Sequence, residues 1–193
     1  MKKLMMIAAF MVAALSANAQ NEVGQITLKP MAGINLATMT DTNDGKMRVG
    51  LVAGVEGEYG VAENFSVSAG LLYSMQGVKG KDGAADLTFK FDYINIPILA
   101  NYYVTKGLAL KAGVQPGFKV SAKSKAEANG YSAEADIDGA EGFVLAIPMG
   151  ASYEFDNFVI DARYNLGVTK AFKEGYDSKH SVFSITLGYK FAL

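Results

Sequence analysis

The 193-residue sequence has no cysteine and no tryptophan, one histidine and four prolines. Without cysteine there can be no disulfide framework, no thiol nucleophile and no thiolate metal site. A lone histidine among scattered carboxylates offers no metal-ligand spacing, so neither metal nor cofactor is expected. Charge of either sign is also scarce: 18 Lys+Arg against 19 Asp+Glu give a net charge of −1. The concentrated basic surface that nucleic acid calls for is missing, and no nucleic-acid partner is expected. The 21 glycines are scattered and follow no phosphate-loop spacing. Long hydrophobic runs are lacking beyond the N-terminus. The longest charge-free apolar stretch there, Tyr93 to Val104, is too short for a spanning helix and contains Pro97. If the mature chain crosses a membrane, strands must do it.

What is present begins at the N-terminus. Lys2 and Lys3 precede an uncharged run from Leu4 to Leu15, then small residues at Ala17 and Ala19. This is the three-part pattern of a secretory signal peptide, with cleavage expected between Ala19 and Gln20. The predicted organisation is a signal peptide over 1–19 and one barrel domain over 20–193. No cysteine follows the cleavage site to carry a lipid anchor.

The mature chain alternates. In "SVFSITLGYKFAL", Phe183, Ile185, Leu187, Tyr189 and Phe191 share one face, and Ser184, Thr186, Gly188 and Lys190 the other. The same period of two recurs upstream. "FVIDARYNLGV" sets Phe158, Ile160 and Tyr164 against Asp161, Arg163 and Asn165; "FVLAIPMGASYEF" sets Phe143, Ile147 and Tyr153 against Pro148, Ser152 and Glu154. "LALKAGVQPGFKV", "INIPILANYY", "FSVSAGLLYSM", "MRVGLVAGVEGEYG" and "ITLKPMAGINL" complete eight strands. Ahead of "INIPILANYY" the parity shifts, placing Phe89, Phe91 and Tyr93 on the apolar side and predicting a bulge near Tyr93.

Alternation alone does not separate inside from outside, and a secreted lipocalin-like barrel would alternate too. The connections and the aromatics decide. "GVAEN", "VTKG" and "FDN" are tight, whereas "TMTDTNDGKM", Gly77–Asp86, "KSKAEANGYSAEADIDGAEG" and "KAFKEGYDSKH" are long and polar. Short and long links alternate, so the long ones gather at one end. Tyr59, Phe65, Tyr102, Phe155, Phe158 and Phe191 mark the short-turn end; Tyr73, Phe91, Phe118, Phe143 and Phe183 mark the other. The predicted fold is all-β: an eight-stranded antiparallel up-and-down transmembrane β-barrel with short periplasmic turns, long outer loops and two aromatic girdles. Its expected place is the bacterial outer membrane, its apolar face against outer-membrane lipid.

The signal peptide, "GINLA", "DYINIPILANYY" and the final "LGYKF" resemble the outer-membrane β-barrel domain common in Bacteroidetes, the PorT-like or porin family. The resemblance covers the whole mature chain and implies the barrel fold. Phe191 near the terminus also resembles the signal read by the barrel-assembly machinery, an implied partner during biogenesis; Ala192 and Leu193 depart from it by following the aromatic.

Eight strands enclose a lumen that side chains fill. The inward set is mixed in sign: Lys29, Arg48, Lys111, Lys119, Arg163 and Lys190 against Glu56, Glu58, Glu154 and Asp161. Charges in so crowded and dry a space persist only when paired, so a structural network is expected rather than an ion path. His180 stands beside Asp177, Ser178 and Ser181 at the base of the last outer loop. A rim lipid hydrolase would need a nucleophile motif around one of those serines, and there is none; a solvated loop histidine is expected, and no enzymatic activity.

The most informative polar segment runs from Lys119 to Gly139. Asn129-Gly130 is a strong two-residue hairpin signal. That turn pairs Ala128 with Tyr131, Lys125 with Glu134 and Lys123 with Asp136, opposite charges facing each other across the strands. Parity through Lys119 and Val120 stays unbroken, so the hairpin is expected to project as a two-stranded ribbon with an open edge able to capture an outer-surface partner. The competing expectation is a disordered loop of mixed charge. The functional expectation is a monomeric, non-enzymatic barrel for surface interaction or envelope integrity. A small transport channel or a protein-export accessory is the alternative.

Overall fold

The structure, a computed structural model, describes residues 23–40, 46–82, 85–128, 131–172 and 178–193. The expected signal peptide with its Ala19–Gln20 cleavage site lies outside the described residues, as do Asn129, Gly130 and Asp177.

Alternating sequence becomes strand almost throughout. The elements are β1 (Ile26–Met39), β2 (Lys46–Ala62), β3 (Phe65–Asp82), β4 (Ala85–Asn95), β5 (Ile98–Tyr103), β6 (Leu108–Ala128), β7 (Tyr131–Asp136), β8 (Phe143–Phe155), β9 (Phe158–Gly167), β10 (His180–Tyr189) and β11 (Phe191–Ala192). Every pairing is antiparallel, and β1 closes the ring by pairing β10 from Met31↔Gly188 to Met39↔His180. Pro97, which cannot donate to a ladder, interrupts one wall strand, so β4 and β5 are its two halves between β3 and β6. β11 likewise completes β10. Among the described residues β7 pairs only with β6 and stands outside the ring, which therefore has eight strands.

Burial settles which face is which. Phe183, Ile185 and Leu187 are 39%, 40% and 54% exposed, while Lys111 and Arg163 are both 4% exposed. Val49, Leu51, Val114, Phe143, Tyr153 and Ile160 join the exposed apolar surface. An inside-out protein of this kind gains nothing from water, because its greasy belt far exceeds the patches soluble proteins leave uncovered. Closing the ring pairs the wall's backbone groups and leaves no wall edge, the condition for strands in hydrocarbon.

The structure corrects four expectations. Phe91 and Tyr93 point inward and are fully buried, so the alternation through Asn95, Leu99 and Asn101 is unbroken on that strand. A bulge does sit beside Tyr93, but the extra residue belongs to β6: Asp92 pairs Ser121 and Tyr93 pairs Lys119, leaving Val120 over. Within the stretch expected as a loop from Gly77 to Asp86, Gly77–Asp82 continues β3 and Ala85–Asp86 already belongs to β4. The β6–β7 hairpin is accordingly no isolated ribbon; β6 from Ser121 to Glu127 pairs β4, giving a sheet β3–β4–β6–β7 above the barrel. Finally, Phe191 is 8% exposed and packs on the Tyr189 ring at 4.8 Å, instead of facing lipid as a girdle residue.

Candidate functional site

Two clusters of charge fill the short-turn half of the lumen. Lys29 and Glu56 are cross-strand partners on β1 and β2, and their side chains meet at 2.9 Å. Glu56 also takes Lys111 at 3.3 Å and the Arg163 guanidinium at 2.7 Å. Arg163 grips Asp161, two residues earlier on β9, through two hydrogen bonds of 2.6 Å. Asp161 in turn lies 3.0 Å from Lys111 and 3.7 Å from Lys29. Arg163 and Lys111 are separated by β8, where both are in register with Gly150. A Cβ at Gly150 would fall 2.1 Å from the Ala162 carbonyl oxygen, so the position takes no side chain.

The second cluster is nearer the termini. Lys190 pairs with Glu154 at 2.9 Å and Glu58 at 3.8 Å, and lies 3.3 Å from the Tyr103 hydroxyl. Ser66 donates to Glu58 at 2.6 Å, and the Tyr103 hydroxyl donates to the same carboxylate. Four cations (Lys29, Lys111, Arg163, Lys190) thus meet four carboxylates (Glu56, Glu58, Glu154, Asp161), a neutral set that crosses the lumen. Two expected members sit elsewhere. Lys119 donates to the Ala140 carbonyl at 2.8 Å near the outer mouth, and Arg48, half-buried, donates to the Gln76 carbonyl.

Above the charges runs a belt of neutral hydrogen bonds. Asn165 donates to Ser184, Ser184 to Asn35, and Asn35 to Ser74, at 3.0, 2.7 and 2.9 Å. Asn35 reaches Ser74 over the intervening β2 because its register partner there is Gly50. Two small cavities of mixed lining flank this belt and share Asn95, Gln115 and Asn165 in their walls.

The outer mouth is sealed by apolar side chains. Met39, Val78, Phe91, Tyr93, Ala122, Ala140, Val144 and Ala171 form one buried cluster, with Phe172 edge-on to Phe91 at 5.7 Å. His180 is part of the seal and no solvated loop residue: it is 5% exposed, edge-on to Phe91 and Tyr93 at 5.3 Å each, with Nε2 3.1 Å from the Tyr93 hydroxyl. It opens β10, and the inward parity of Val182 and Ser184 carries its ring into the lumen. Ser181, one residue on, faces away and bonds the Tyr164 hydroxyl at 2.8 Å; Ser178 is buried at 4%. Sequence reasoning missed the Phe91–Tyr93–His180 group because it placed both aromatics on the lipid side. The unbroken spacing of Phe91, Tyr93, Asn95 and Pro97 was the available signal.

On the outer surface, β6 and β7 pair Ala128↔Tyr131, Lys125↔Glu134 and Lys123↔Asp136, the register the hairpin pattern predicts. The ion pairs that form are different ones: Lys90 with Glu134, and Lys125 with Glu127 at 2.6 Å. The hydrogen bond from Lys90 holds the Glu134 carboxyl below the ordinary glutamate range. All six residues of β7 are exposed. Ile137 donates its N–H to Ala122, and counting back in steps of two leaves the N–H groups of Ser132, Glu134 and Asp136 on the outer edge.

A family model described as outer membrane protein beta-barrel domain matches residues 18–173. Among solved structures, Ail, the attachment invasion locus protein of Yersinia pestis, is similar with a TM-score of 0.51 at 18% identity, over 88% of this chain and 100% of that one. Ail in complex with the heparin analogue sucrose octasulfate gives a TM-score of 0.53 at 17% identity, over 88% and 100%. Neisserial surface protein A gives 0.51 at 14% identity, over 86% and 97%. These likenesses show a shared fold. No curated protein sequence matches the chain.

Proposed function

From the premise that the chain belongs to the outer membrane protein beta-barrel domain family and lies in the bacterial outer membrane, we propose a closed, non-enzymatic barrel that works at the cell surface. Its task is to present the β7 edge to a partner protein, whose extended segment adds as a further strand. One observation carries this reading: six exposed residues, Tyr131–Asp136, offer an edge that, among the described residues, has no pairing beyond β6, above a lumen crossed by ion pairs and capped by aromatic rings. Natural proteins usually blunt such edges. This edge carries only Glu134 and Asp136, and Lys90 neutralises the first. The fold relatives include an attachment protein and a surface protein, which accords with the reading. Within the family we place the chain with the PorT-like barrels of Bacteroidetes, processed after Ala19, inserted by the assembly machinery and acting as a monomer.

Proline at an edge removes an outward N–H without touching the inner ladder. Ser132→Pro with Asp136→Pro should therefore keep the β6–β7 hairpin and abolish strand addition. A photo-crosslinker at position 131 on intact cells should trap a partner protein with the parent chain and lose it with the double variant. Identical cross-linking in both would sink the proposal.

A further inference from the structure

The lipid-facing surface of the barrel runs without a break into a face crowded with lysine. Cross-strand register places Lys46, Lys79, Thr88 and Lys125 in one row over β2, β3, β4 and β6. Lys90 and Lys123 pair in the next row on the same face. The opposite face holds Val78, Phe89, Phe91 and Ala122, which pack into the apolar seal, so the lysines point away from the lumen. Directly below them on the same strands are Val49, Leu51 and Val120, which are 63%, 59% and 57% exposed in the lipid belt.

Two of these registered pairs, Lys46↔Lys79 and Lys90↔Lys123, set like charges opposite each other. Like charges so placed repel at a Cβ separation of about 5 Å. Of the carboxylates nearby, Glu134 takes Lys90 and Glu127 takes Lys125, while Asp136, in register with Lys123, does not close to ion-pair distance. Among the described residues, Lys46, Lys79 and Lys123 have no carboxylate within ion-pair distance. A sheet that keeps such pairs just above an apolar belt holds them at the height of lipid headgroups, where a bound anion turns the repulsion into attraction.

We propose that this face binds the phosphate groups of the outer-leaflet glycolipid, with Lys46, Lys79 and Lys123 as the ligating cations. The site is distinct from the β7 edge and stands whether or not that edge captures a partner. The patch turns the sheet above the barrel towards the membrane surface and holds its base there.

The test uses the full mature chain refolded in neutral detergent and titrated with lipid A carrying both phosphates, with dephosphorylated lipid A, and with inorganic phosphate. Phosphorylated lipid A should bind well above the dephosphorylated form. Lys79→Gln with Lys123→Gln should weaken it by roughly tenfold or more, the effect of two headgroup lysines. Equal binding of the two lipid A forms by the parent chain overturns the proposal without any variant, and so does an unchanged affinity in a double variant that still folds. Inorganic phosphate competing at the concentrations that lipid A needs would assign the patch to free phosphate and overturn the headgroup reading.

Discussion

Glu56 shows what a single residue does in this lumen. Its carboxylate touches three cations, and it is 1% exposed, so no water can replace it. A buried ion pair contributes little net stability against an apolar substitute, yet removal of one partner leaves an uncompensated charge and costs about 3–5 kcal/mol. Glu56→Gln should lose an amount in that range, read as a lower urea midpoint for unfolding from lipid vesicles. The Gln amide keeps the volume, so an unchanged midpoint would mean the network is dispensable. Sequence pattern named every member of this network. It also added Lys119 and Arg48, whose side chains go instead to the carbonyls of Ala140 and Gln76. Inward parity says that a charge enters the lumen, but not at what height it finds a counter-ion.

At the scale of elements, β4 and β6 carry the differences between expectation and structure. An aromatic at alternate positions reads as lipid-facing in a transmembrane strand, and Phe91 and Tyr93 break that rule by filling the mouth. The β6 bulge makes this possible. It moves Ala122 and Ser124 to the inner side opposite Phe91 and Phe89, and turns Lys123 and Lys125 outward. Phe91 is fully buried, and Phe→Ala at such a site typically costs about 3–5 kcal/mol through the cavity left behind. Phe91→Ala should destabilise by that order in the same urea assay. It should also speed proteolysis of the sheet above the barrel, whose inner face loses its anchor. The Lys90–Glu134 pair was illegible for a related reason: Gly77–Asp86 has the polar, glycine-bearing composition of a loop, and only pairing with β2 and β4 makes Gly77–Asp82 strand.

For the whole molecule, two seals follow one another along the axis, a neutral ion network and an apolar mouth. Both would have to open for a solute to pass. The folded barrel should therefore give no discrete conductance steps in a planar bilayer, and it should migrate differently on a detergent gel before and after boiling. Regular single-channel steps from the parent chain would favour the transport reading. The strand count, the closed ring, the alternation and the outer-membrane location were all legible, because lipid imposes one pattern on every residue of the wall.

Sequence by itself determined the wall. A period of two, repeated eight times between alternating short and long links, has one low-energy solution in a bilayer, where each backbone polar group must be paired. Only the tertiary structure decided what lies within and above it. A charge finds its partner, and an aromatic ring its neighbour, across strands far apart in the chain, at heights set by register and by one extra residue in β6. Local pattern carries neither quantity.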